Sequence, residues 1–81
     1  MRVRILHFAS FRDAAGRDSE SRELPDDTSV GQLWGMLAAE IPLFSRFTSV
    51  PPPAVNREYV GPATVLRDGV EVAFLPPVAG G

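Results

Sequence analysis

The chain contains no cysteine, no lysine and a single histidine. The missing cysteines exclude disulfides, thiolate metal sites and a thiol nucleophile together. One histidine excludes a histidine-rich metal site. All eight basic residues are arginine, a bias that codon usage explains. Whatever its origin, this chain forms no lysine Schiff base and accepts no isopeptide at a lysine of its own. The arginines are scattered and the net charge is -2, so the basic stripe that nucleic-acid binding needs is missing. No apolar run approaches the ~20 residues of a membrane-spanning helix. The opening MRVRILHFASF is interrupted by Arg4 and His7, and no small-residue cleavage site follows, so it is not read as a signal peptide. The expectation is a cytoplasmic protein with neither nucleic acid nor membrane as partner. What remains is 81 residues of ordinary apolar content. They suit one domain, and a chain this short buries about 60% of its unfolded surface.

Residues 2–9 (RVRILHFA) alternate as a strand, with Val3, Ile5 and His7 on one face and Leu6 and Phe8 on the other. FRDAAGRD breaks the pattern, with Gly16 as a turn residue. Residues 19–24 (SESREL) are polar and short, as in an edge strand. In PDDTSVGQLWGMLAAEIP, the residues Val30, Leu33, Trp34, Leu37 and Ile41 recur at helical spacing. Ser29 and Gln32 form a capping box, Asp26 and Asp27 favour the positive end of the helix dipole, and Pro42 stops the helix. Gly35 within it costs up to ~1 kcal/mol against alanine, which points to close packing there. Residues 43–53 read as a loop from which Phe44 and Phe47 fold back over the core. Residues 54–60 read as two short strands around a turn where Asn56 bonds backbone. Residues 67–69 read as another turn, and 70–75 as a last strand with Val70, Val72 and Phe74 on one face and Glu71, Ala73 and Leu75 on the other. The order gives an α+β fold: a mixed sheet with one main helix packed on one face, and the last strand beside the first. The opposite face, with Leu6, Phe8, Ala73 and Leu75, has no second helix in this reading to cover it. Such an apolar face marks a partner surface; shielding by the 43–53 loop is the alternative.

The chain closes on PPVAGG. Pro76 and Pro77 fix φ and remove N–H donors, so they end the sheet and hold the following residues out. Gly80 and Gly81 have no Cβ and pass through channels where other residues clash. A rigid strut with a thin tip loses less disorder on docking. It suits a terminus that must project and enter a narrow channel. A frayed end without a role is the competing interpretation.

FASFRDAAG, AVNREYV and above all DGVEVAFLPPVAGG resemble the small subunits of molybdopterin synthase (MoaD), within the MoaD/ThiS sulfur carriers. The resemblance covers most of the chain and is poor over residues 43–53. It implies a β-grasp, ubiquitin-like domain over 1–81 with a flexible Gly-Gly tail from about residue 76. It implies that the Gly81 carboxylate is adenylated and becomes a thiocarboxylate, with Gly80 giving access. Its sulfur then passes to a pterin precursor inside the large subunit (MoaE-like), building the molybdopterin dithiolene. The partners implied are that large subunit, in an assembly of two small subunits on a large-subunit dimer, and an E1-like adenylating enzyme. ATP is consumed by that enzyme; the chain itself holds no cofactor and no metal. The resemblance implies a non-catalytic sulfur-donor subunit whose catalytic groups lie on its partners. Phe8, Tyr59, Leu75, Pro76, Pro77 and Val78 form the partner-binding set, with Arg12 matching a recurrent arginine of the family.

Three other functions compete: a carrier for thiamine or cysteine synthesis, a ubiquitin-like modifier joined to target lysines, and a plain binding module with an inert tail. His7 stands where the family has an apolar residue; it reads either as a packed strand residue or as a proton shuttle. Arg12 and Asp13 read as a local ion pair of little energetic weight.

Overall fold

The computed structural model of the chain describes residues 1–76. The chain runs through β1 (Arg2–Leu6), α1 (Ala9–Ala15), β2 (Ser19–Glu23), α2 (Val30–Glu40), a 3-10 turn (Phe44–Arg46), β3 (Pro53–Val55), β4 (Glu58–Tyr59) and β5 (Glu71–Phe74). The strands form one mixed sheet in the order β2-β1-β5-β3-β4. β1 runs parallel to β5 and antiparallel to β2. β3 is antiparallel to both β4 and β5. The last strand therefore lies at the centre of the sheet, beside the first, as its two apolar faces required.

One face of this sheet holds the core. Val3 and Ile5 from β1 and Val72 and Phe74 from β5 meet Val30, Leu33, Trp34 and Leu37 of α2, and all are buried. The α2 capping box forms as expected: the Ser29 hydroxyl accepts from the Gln32 N–H at 3.1 Å, and the Gln32 side chain accepts from the Ser29 N–H at 2.8 Å. Two further N–H groups of the first turn, of Val30 and Gly31, are met by the carbonyls of Thr64 and Pro62. The 60–66 segment thus supplies acceptors to a helix start that would otherwise leave donors unmet.

Three expectations are corrected. The first strand stops at Leu6 instead of continuing to Ala9, and residues 9–15 form a helix instead of a break. α1 is only 7 residues long and sends one side chain, Phe11, into the core. The Phe11 ring lies 4.8 Å from Phe44 and 5.5 Å from Trp34, and this aromatic cluster replaces the amphipathic stripe that a longer helix would show. Gly16 does end the segment, as a helix cap with φ of 76°, a conformation glycine adopts without penalty. The third correction concerns Gly35: a Cβ there would meet nothing within 4 Å, so close packing is not its reason. Phe44 is buried and Phe47 packs against the core, so the 43–53 segment folds back as expected.

Candidate functional site

The face of the sheet away from α2 stays open. Strand register lays its residues out in rows. Leu6 stands beside Ala73, Ala73 beside Ala54, and Ala54 beside Tyr59. Two alanines in the middle of a row with larger neighbours on both sides leave a trough. This groove encloses about 660 Å³. One residue pair further along the strands, at one end, Arg4 stands beside Glu71, with Arg57 from the β3–β4 turn also lining the groove. At the other end lie Phe8 and Leu75. β5 forms the floor of the groove.

The expected partner-binding residues divide accordingly. Phe8, Tyr59 and Leu75 come together around the groove. Phe8 is 44% exposed and Tyr59 74%, which is high for side chains of this size. The 43–53 segment sends its aromatics into the core, so it does not shield them. Arg12 is not part of this set. It lies on α1, exposed, within 3.9 Å of Asp13 and 3.8 Å of Asp18. Pro76 is the last described residue and is half-buried. Pro77, Val78, Gly80 and Gly81 lie outside the described residues.

The local causes of this geometry are specific. Phe8 is the N-cap of α1, and the following Ala9 has φ of 46°. That left-handed turn, costly for a residue with a Cβ, takes the chain out of the strand while Phe8 stays extended. On the far side, Asn56 and Arg57 both have positive φ, at 50° and 70°, the conformation of a two-residue hairpin turn that matches strand twist. The Asn56 carboxamide oxygen accepts from the Glu71 N–H at 2.9 Å, and the Glu71 carbonyl accepts from the Asn56 N–H at 2.8 Å. Asn56 does bond backbone, but to β5, extending the β3–β5 ladder beyond the turn. At the other end the Leu75 N–H donates to the Pro52 carbonyl at 3.0 Å. β5 is therefore held along its length up to the proline pair.

His7 is a packed residue. Its Nε2 lies 2.9 Å from Glu20 Oε2. A carboxylate only accepts, so that nitrogen carries the proton. Glu20 also accepts from Arg17 at 2.8 Å and Arg22 at 2.9 Å, and Arg22 reaches Glu40 at 2.6 and 2.7 Å. Burial raises the Glu20 pKa, but the His7 and Arg22 hydrogen bonds and the two guanidinium charges outweigh it and hold the carboxyl below its usual range. The network ties the residue following β1 to β2 and α2. Among the described residues no His/Asp/Glu cluster forms a metal site.

Arg4, Ala54, Glu71 and Arg57 belong to the groove and were not singled out from sequence as site residues. Arg4 and Glu71 share the strand parity of Leu6 and Ala73, which was the available signal. Arg57 gave none, since its position depends on the turn geometry.

Comparison with known proteins gives a consistent result. The ThiS family pattern matches residues 5–81. The molybdopterin synthase sulfur carrier subunit of Chlamydomonas reinhardtii is 35% identical, with both chains covered in full. Small archaeal modifier protein 3 of Haloferax volcanii is 38% identical, again over all of both chains. A solved structure from Pyrococcus furiosus, assigned as molybdopterin converting factor subunit 1, superposes with a TM-score of 0.85 at 31% identity, covering 96% of this chain and 99% of the other. With the topology above, the fold is a β-grasp.

Proposed function

The chain belongs to the ThiS family, and from that membership we propose that it is the sulfur-carrier subunit of a molybdopterin synthase. The observation that carries this reading is the end-to-end similarity to a molybdopterin synthase sulfur carrier subunit. The open groove beside the strand that leads into the terminus supports it, because a carrier must be gripped while its end is delivered.

In this reading Gly81 carries the chemistry and Gly80 gives access to it. A carboxylate is a poor electrophile. An E1-like enzyme joins it to the AMP portion of ATP and releases pyrophosphate. A sulfur nucleophile then attacks the acyl carbon, AMP leaves, and a thiocarboxylate remains. The large subunit receives that terminus and passes the sulfur to the pterin precursor, and hydrolysis restores the carboxylate. The chain needs neither a cofactor nor a general base of its own for these steps. Phe8, Tyr59 and Leu75 grip the partner; Pro76, Pro77 and Val78 aim the tip. The assembly is two such chains on a large-subunit dimer. Arg12 is a further contact of that assembly.

The modifier from Haloferax volcanii favours a second reading, in which the activated glycine is joined to lysines of other proteins. A single-turnover transfer assay separates the two. Chain carrying the thiocarboxylate, mixed with large subunit and pterin precursor, should yield dithiolene in proportion to the carrier added, and chain lacking Gly81 should yield none. Absence of product with a large subunit proven on another carrier, or equal product from the truncated chain, would overturn the proposal.

A further inference from the structure

The polar end of the groove is unbalanced in charge. Arg2, Arg12, Arg17 and Arg22 each lie within 4.0 Å of a carboxylate. Arg4, Arg46, Arg57 and Arg67 have no such partner among the described residues; of these, Arg4 and Arg57 line the groove, where Arg4 stands directly beside Glu71 in the sheet. Two guanidiniums against one carboxylate leave the groove mouth positive on a chain whose net charge is -2. The second observation is independent of the first. Arg57 occupies a turn position with φ of 70°, where glycine is favoured and other residues are strained. An arginine that stands there at the expense of backbone strain and lines the groove points to a role outside the fold.

We propose that the groove is shaped for a partner segment that seats one bulky apolar side chain over Ala54 and Ala73 and presents a carboxylate to Arg4 and Arg57. The rows are two residues apart along the strands, so the carboxylate belongs about 7 Å from the apolar anchor. Arg57 and Arg4 select the partner by charge, and the alanine floor selects it by size. An arginine fork matches a planar carboxylate in two parallel hydrogen bonds, which fixes direction as well as identity. The orientation matters here: with the acidic residue at the Arg4 end, the partner's continuation runs toward Leu75 and the terminus. This inference rests on the assignment of the large subunit as the partner.

The test uses the large subunit as titrant and measures affinity at several salt concentrations. The chains are wild type, Arg4→Gln, Arg57→Gly, the double variant, Ala54→Leu, and Arg46→Gln as an exposed arginine away from the groove. Arg57→Gly relieves the turn and should melt no lower than wild type, so lost binding cannot be lost folding. The double variant should bind about tenfold more weakly at low ionic strength and show a flatter salt dependence. Ala54→Leu should weaken binding with the salt dependence kept, and Arg46→Gln should match wild type. Wild-type affinity and salt dependence in the double variant, or an equal loss in Arg46→Gln, would overturn the inference and leave the partner assignment standing. Failure of the wild type to bind would overturn both.

Discussion

Gly31 and Gly35 sit one turn apart on α2 and behave oppositely. A Cβ on Gly31 would come within 3.2 Å of the Pro62 carbonyl oxygen, the group that accepts the Gly31 N–H at 2.8 Å. A Cβ on Gly35 would stand in open space. Gly35→Ala therefore gains helix propensity without a clash and should stabilise the chain by about 0.5–1 kcal/mol. Gly31→Ala should lose part or all of that gain, because the 60–66 segment must shift away from the helix start. Urea midpoints of the two variants check this, and a destabilised Gly35→Ala would show that the residue has a contact after all. Periodicity identified both glycines as helical. It could not rank them, because the difference lies in a segment about thirty positions further along.

Among the elements, β1, β5 and α2 were legible because each is periodic and buries one face, and β2 because it is short and polar like an edge strand. α1 was not. Its seven residues contain one buried anchor, Phe11, and its start passes through a left-handed Ala9 that no propensity would suggest. Tertiary packing against Trp34 and Phe44 determines it. His7 was legible as a departure from the expected pattern, but the network it joins through Glu20 was not, since Glu20, Arg22 and Glu40 converge only when β2 and α2 are docked. That network makes an element-scale prediction. Glu20 is held below the usual carboxylate range, so its contribution is complete above the unfolded pKa and is lost as pH falls through the folded one. Glu20→Gln should cost about 1.5–3 kcal/mol near neutrality, the range for a hydrogen bond to a charged group. The gap to wild type should shrink as pH falls through the acid range. Denaturant titrations at about pH 7 and about pH 3 read this directly; a pH-independent gap would mean the loss is one of shape and not of charge.

For the whole molecule, the sheet order explains how a small chain presents its end. β5 is central, bonded to β1 on one side and β3 on the other, so the last strand before the proline pair is the middle strand of the sheet. Along that strand, core residues Val72 and Phe74 alternate with groove residues Ala73 and Leu75. The open face was visible in the sequence as apolar residues with no element left to cover them. Its charged mouth was not, because Arg57 reaches it through a turn of unusual backbone. Among the described residues, no helix is long and apolar enough to cross a membrane.

The central claim is that the terminal glycine carries sulfur. Its most direct test is the intact mass of the chain after incubation with its activating enzyme, ATP and a sulfur donor, alongside a chain lacking Gly81. The account predicts a gain equal to one oxygen replaced by one sulfur in the full chain and no gain in the truncated one. An unchanged mass in the full chain, with the enzyme shown to be active on another carrier, would contradict it.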